Sequence, residues 1–427
     1  MTLVMETTGL ADPEATAMPN IVSVDDHIVE PPSLWQDRLP ARFRARGLHV
    51  ARELVGLRGV PAEDGDPEAR WSDVWYYDGL RVPMLRIYAS AGLEVAVSDG
   101  KVDLWQSDAI GMTYDEMRPG CYEPGACLAD MDLNGVDASL GFPNLILRFC
   151  GQLFLDAPDK DLALLSIKAY NDWLRDEWER VGGGRLIGAT IVPLWDADLA
   201  AAEVRRNAAR GAKAVCFSEI PAWLGLPSIH GNYWDPFFAA CAETRTVIVI
   251  HIGSSSTSRT TSDDAPPALS VTNLYTNSSM SLSDFLLSGV FLRFPGLKLA
   301  YAEAQAGWIP YIVERLDTMW AANHKYMRMD HLPEPPSTYY RGNIYSCVFD
   351  DRVAIERLLD KIGVDQLCFE TDYPHADSSW PNSKDVARRN LAGLDAPTVR
   401  KIVRDNAIEM LQLDASRWPT ADASPVA

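Results

Sequence analysis

No apolar run in this 427-residue chain approaches the ~18 residues that a transmembrane helix needs. The first twenty residues lack a basic start and a continuous apolar core, so they do not read as a secretory signal. Positive charge is scarce: 39 Lys and Arg stand against 59 Asp and Glu, a net charge of −20. A surface of that sign repels nucleic acid and anionic lipid, so neither a nucleic acid nor a membrane is expected as a partner. The seven cysteines are odd in number, scattered, and include no C-x-x-C pair. They read as reduced thiols of a cytoplasmic protein and exclude a disulfide frame or a zinc knuckle. G-x-G-x-x-G, Walker A and G-x-S-x-G patterns are all missing. The phosphate-cradling glycine loops and the serine-nucleophile elbow are therefore without support.

What is present is a globular composition, 47% apolar and 23% charged. Strand and helix signals alternate through the middle and C-terminal parts. Apolar runs near residues 22, 140, 189, 215, 248, 300, 345 and 368 read as eight strands. Helices are expected between them, for example over 198–210 with Asp196 as N-cap and Gly211 as stop, and over 235–243, 282–294 and 308–319. Eight strand–helix units over ~390 residues predict an α/β fold, a (β/α)8 TIM barrel. The segments 1–20 and 414–427 are small and polar and read as disordered tails around a barrel at 21–413. A large insertion after the first strand, 30–133, carries scattered aromatics including Trp71, Trp75, Trp105 and Tyr114. In a barrel it sits over the C-terminal face, where it reads either as a lid or as an ordinary decorating subdomain.

The seven histidines are the most informative feature. His27 ends the first strand and His251 ends the fifth, where a barrel keeps its chemistry. Asp372 ends the eighth. Alternate side chains of a strand share a face, so Asp25 projects with His27 and Asp26 points away. If the strands close a barrel, Asp25, His27, His251 and Asp372 converge. Two imidazoles with one or two carboxylates suit a borderline divalent cation, with zinc the first choice and manganese or iron the alternatives. Asp372 would ligate the metal or take a proton from its water.

At these residues the sequence resembles the amidohydrolase superfamily, in the branch related to aminocarboxymuconate semialdehyde decarboxylase. The carriers are Asp25-x-His27, His251 and Thr371-Asp372-Tyr373-Pro374-His375. The resemblance implies one divalent metal held by Asp25, His27, His251 and Asp372. It also implies hydrolysis or non-oxidative decarboxylation of a small substrate, and a homodimer. Two departures stand out. The fourth strand ends at Ser218-Glu219 with no lysine to bridge two metals, which supports one metal. The sixth ends at Ala302-Glu303 where relatives place a histidine, so Glu303 is expected as acid/base or ligand.

Other candidates are His375, to orient Asp372 or touch substrate, and Glu219 and His230, close after the fourth strand. Arg118 and Arg148, in the loops flanking the second strand, could pair a substrate carboxylate. The leading reading is a mononuclear metal-dependent hydrolase acting on an amide, lactone or ester of a small organic substrate. The alternatives are a metal-dependent decarboxylase on the same centre and a barrel that binds a metabolite without turning it over.

Overall fold

The computed structural model describes residues 18–418 except 64, 68, 94–96, 99–100, 103–109 and 145. Of the tails expected at 1–20 and 414–427, residues 1–17 and 419–427 lie outside the described residues, as does Trp105 of the insertion.

Eight parallel strands form the centre: β1 (Ile21–Ile28), β2 (Val136–Pro143), β3 (Leu186–Gly188), β4 (Ala214–Cys216), β5 (Val247–His251), β6 (Leu299–Ala302), β7 (Ile344–Val348) and β8 (Leu367–Phe369). Every residue in them is buried, as expected of a parallel sheet covered by helices. The spatial order is β3-β2-β1-β8-β7-β6-β5-β4. All eight match the runs read from sequence, and the fold is a TIM-barrel α/β fold. The two outer members of the row, β3 and β4, share no ladder. They meet at one parallel bridge, Thr190 to Val215, where Thr190 N–H donates to Ala214 (3.0 Å) and Cys216 N–H donates to Thr190 (2.8 Å).

The helices follow their start and stop signals. Helix α1 (Pro124–Asn134) ends at Gly135, whose φ of 69° is left-handed. Helix α2 (Lys160–Trp173) starts at Asp159, whose carboxylate accepts from Leu162 N–H at 3.0 Å. Helix α3 (Ala197–Ala208) starts at Asp196, which accepts from Asp198 and Leu199. Helix α4 (Asp235–Thr244) turns off at Arg245 in the left-handed region. The helix expected over 282–294 instead runs as α5 (Tyr275–Leu287) and breaks at Gly289 before a short turn, Val290–Arg293. Helix α6 (Ile309–Asn323) follows β6.

The insertion contains a three-stranded antiparallel sheet of His49–Val55, Arg70–Tyr77 and Leu80–Pro83. Its later part is stitched to the loop after β8. Ser90 and Ala91 N–H groups donate to the Pro374 carbonyl (2.8 and 3.2 Å), and Ala376 N–H donates to Ile87 (3.0 Å). Tyr88 thereby stands edge-on to His375, with ring centroids 5.8 Å apart. Residues 414–418, assigned by composition to a tail, are folded. Ala415–Arg417 is a helical turn, and Trp418 is buried, donating to the Gly184 carbonyl at 3.2 Å. One aromatic ring offsets the entropy that small polar residues alone could not.

Candidate metal centre

The register between β1 and β8 creates the site. Beyond the last assigned residues of β8 the two chains stay paired: Asp372 N–H donates to the Asp25 carbonyl (2.9 Å) and His27 N–H donates to Tyr373 (2.6 Å). Asp25, His27 and Asp372 are thereby brought to one level. β5 adds His251, which lies opposite Ala302 in the β5–β6 ladder. The Nε2 atoms of His27 and His251 approach to 3.1 Å. His27 Nε2 is 3.7 Å from Asp25 Oδ1 and 3.3 Å from Asp372 Oδ1, and His251 Nε2 is 3.5 Å from Asp25 Oδ2. Asp26 points the other way, as alternation requires. It accepts from Tyr373 N–H at 2.9 Å and from the Ser139 and Thr371 hydroxyls.

Two further groups reach the cluster from strand ends. Glu303 Oε2 is 3.2 Å from His251 Nε2, and His375 Nδ1 is 3.1 Å from Asp372 Oδ1. Glu303 and Asp372 both have left-handed backbones, with φ of 55° and 52°. Non-glycine residues in that region are strained, and here the reversal re-aims each side chain at the strand end. The same holds for Phe149 (φ 47°), whose ring stacks on His251 with centroids 4.1 Å apart. His375 stacks on the other imidazole, His27, at 3.7 Å.

The electrostatics are those of a crowded acidic pocket. Burial raises the Asp25 carboxyl well above its ordinary range, reinforced by Glu370, Asp372, Glu303 and Asp26. Asp372 is raised by burial and then by Asp377, and Glu303 by burial and then by Asp372. Burial lowers all three imidazoles. His251 is pushed down to about 3, and His27 is lowered further by His375 and His251. The Nδ1 of His251 donates to the Ile252 carbonyl at 2.6 Å, which leaves its Nε2 lone pair facing the cluster. Both carboxylate oxygens of Asp25 and both of Asp372 are buried without a hydrogen-bond partner. Buried acceptors are normally satisfied. Four orphaned oxygens beside two imidazole nitrogens form a donor set that fits a divalent cation. Ligand atoms of Asp25, His27 and His251 lie within 4.8 Å of one another; so do those of His27, Asp372 and His375, and those of Glu303, Asp372 and Asp377.

Other expected residues are placed elsewhere. Arg118 is held by both oxygens of Asp130 (2.7 and 2.5 Å) and lies over the Trp380 ring, so its guanidinium does not face the cluster. His230 is exposed and pairs with Asp284 on α5 at 3.0 Å. Glu219 is buried beneath the loop after β5. It accepts from Ser278 (2.8 Å), Gly253 N–H (3.1 Å), and the Ser255 N–H and hydroxyl (3.4 and 3.0 Å). Burial pushes it up to about 7, moderated by those donors. It clamps the loop after β5. Arg148 is exposed at the mouth, touching Ser256 and near enough to Tyr88 to offset part of the rise that burial gives its phenol. Phe149, Glu370 and Asp377 were not singled out by sequence. Glu370 and Asp377 flank Asp372 in the chain, a signal that counting carboxylates around the strand end would have caught.

The family model described as Amidohydrolase matches residues 99–413, about three-quarters of the chain. The chain belongs to the amidohydrolase family. Membership makes it an enzyme, not a metabolite-binding barrel. Among solved structures it is similar to an amidohydrolase from Mycobacterium avium subsp. paratuberculosis, with 23% identity over 93% of this chain and 99% of that one and a TM-score of 0.69. A 5-carboxyvanillate decarboxylase from Novosphingobium aromaticivorans, solved with bound manganese, matches at 21% identity, 67% and 80% coverage and a TM-score of 0.54. A 2,6-dihydroxybenzoate decarboxylase from Rhizobium matches at 16% identity, 92% and 99% coverage and a TM-score of 0.54. At these identities the likeness to solved structures concerns the fold. No helix among the described residues is long and apolar enough to cross a membrane.

Proposed function

We propose that the protein is a divalent-metal-dependent carboxy-lyase that releases carbon dioxide, without oxidation, from a small aromatic or otherwise planar carboxylic acid. The observation that carries this reading is the convergence of Asp25, His27, His251 and Asp372 with four unpartnered carboxylate oxygens. These four would hold the metal. Zinc, manganese and iron(II) all match the imidazole–carboxylate set, and the solved decarboxylase with manganese supports the choice of manganese alongside zinc. A divalent cation bound there supplies Lewis acidity toward the substrate's carboxylate and its neighbouring oxygen.

The chain's own residues do the rest. Phe149 and Tyr88 give flat walls against which a planar substrate packs. Arg148 at the mouth draws in an anion through an otherwise acidic surface. The bond between the ring carbon and the carboxylate carbon breaks, the electron pair stays on the ring carbon, and carbon dioxide leaves. Glu303, whose carboxyl burial and its acidic neighbours raise above the ordinary range, delivers the proton to that carbon. His375 flanks Asp372, its Nδ1 3.1 Å from Oδ1, and stacks on His27.

Hydrolysis of an amide, lactone or ester is the second reading. It is favoured by the family model and by two carboxylates, Asp372 and Glu303, that could each take a proton from water. One experiment separates the two. Protein loaded with manganese or zinc is incubated with 2,6-dihydroxybenzoate, 5-carboxyvanillate and a set of amides and lactones in 18O-water. Carbon dioxide release with no label in the organic product supports decarboxylation; label in the product carboxyl supports hydrolysis. Metal analysis before and after chelation identifies the ion. Light scattering tests the expected homodimer against the 47.2 kDa chain mass.

A further inference from the structure

The chain places a second carboxylate, Glu370, directly behind Glu303. Glu370 is fully buried, and its Oε2 accepts from the Glu303 backbone N–H at 3.0 Å. The buried Cys347 thiol of β7 is its other polar neighbour. Glu303 begins a turn in which two residues, Glu303 (φ 55°) and Gln305 (φ 54°), take the left-handed backbone. A strained turn persists only when its surroundings hold it. Two side chains hold this one: Glu370, just past β8, takes the first N–H, and the Ser346 hydroxyl, within β7, donates to the Gln305 carbonyl at 2.7 Å. The product of that turn is the aim of Glu303, whose Oε2 stands 3.2 Å from His251 Nε2. An ordinary extended exit from β6 would send the side chain along the barrel face.

We propose that Glu370 is a positioning residue: by accepting from the Glu303 N–H it locks the turn that points the Glu303 carboxyl into the reaction centre. The requirement is for an acceptor at this point, not for a negative charge. This inference rests on the proposed role of Glu303 as proton donor, and its test separates the two.

Crystal structures of the unaltered protein, Glu370→Ala and Glu370→Gln decide the positioning without any substrate. In Glu370→Ala the Glu303 φ returns to the extended region and its carboxyl leaves His251; in Glu370→Gln, which keeps an acceptor, both stay. Glu370→Leu, of similar volume and without an acceptor, serves where Ala does not fold. Manganese binding, followed by electron spin resonance, shifts by the same factor in Glu370→Ala and Glu370→Gln, since both remove the charge that Glu370 sets beside Asp25 and only the first removes the acceptor. With 2,6-dihydroxybenzoate as probe, kcat in Glu370→Ala falls about 100-fold, the usual effect of misplacing a reacting group by ~1 Å. KM holds within about twofold, and Glu370→Gln stays within threefold of the unaltered enzyme. Adding Glu370→Ala to Glu303→Gln costs no further activity, because the group it aims is already disabled. An unchanged Glu303 conformation in Glu370→Ala or Glu370→Leu overturns the inference, as does Glu370→Gln being as damaging as Glu370→Ala. If Glu303→Gln keeps full activity, the proton-donor reading fails instead, and the crystal structures still decide whether Glu370 sets the turn.

Discussion

Replacing Asp25 by Asn should make the metal-free protein more stable and the metal-loaded protein less stable than the unaltered chain. Asp25 is fully buried, neither carboxylate oxygen has a hydrogen-bond partner, and Glu370, Asp372, Glu303 and Asp26 all repel its charge. Without metal it behaves as a buried unsatisfied acid, a situation that costs about 1–3 kcal/mol. Asn is nearly the same shape, carries no charge and can donate to a neighbouring carboxylate. The expected gain in the metal-free state is therefore about 1–3 kcal/mol. With metal the sign reverses. A ligand present at 100 to 1,000 times its Kd stabilises the folded state by about 2.7–4.1 kcal/mol. A variant lacking one of four ligands loses most of that. Urea unfolding of both proteins, with chelator and then with excess manganese, gives four stabilities whose order should cross. The reasoning is refuted if manganese stabilises Asp25→Asn as much as the unaltered protein. It is equally refuted if the metal-free variant is less stable by more than about 1 kcal/mol, the net worth of an ordinary hydrogen bond.

Glu30 is buried, pushed up from 4.5 to about 8 by burial, and accepts from Asn144 N–H at 3.0 Å. A folded-state pKa above the unfolded one gives stability that is complete below pH 4.5 and is lost as pH rises through about 8. Glu30→Gln should therefore gain on the unaltered protein by up to about 1.4 kcal/mol per pH unit across that window; a flat difference from pH 5 to 8 in urea titrations contradicts this. Arg148→Met should raise KM for an aromatic carboxylate about 10- to 100-fold, the worth of a charged hydrogen bond, with manganese affinity unchanged by isothermal titration; an unaltered KM removes Arg148 from substrate binding. Asp196→Ala should cost about 1 kcal/mol in thermal or urea unfolding through loss of the α3 cap, with no effect on metal affinity.

The barrel was legible because its strands are short, apolar and β-branched, and because residues such as Asp196 mark helix starts. The three-stranded sheet of the insertion was not. Arg70–Tyr77 mixes charge, serine and aromatics without strict alternation, and its pairing with His49–Val55 is set by contacts made in space. Helix α2 was overlooked although Asp159 offers the same cap as Asp196. At the site, Asp25, His27, His251 and Asp372 could be read because strand ends in a barrel converge by geometry. Arg118, Glu219 and His230 could not be sorted, since where a loop residue points depends on its neighbours: Asp130, Ser278 and Asp284 each captured one of them. Phe149 was invisible for another reason: its positive φ turns the ring toward His251 from a loop, where no strand alternation applies.

The neighbours of β1 have a consequence for how the molecule is made. Asp25 and His27 leave the ribosome early, yet the strand carrying them is flanked on one side by β8, where Ser23 sits opposite Phe369. Until that last strand is synthesised, the nascent chain carries an open edge and an incomplete cation cage. Contacts this remote in sequence form slowly, and an open edge invites association with other chains. A stop codon before Leu367 should therefore yield not a weaker enzyme but an insoluble one, recovered in the pellet even when its other seven strands are intact.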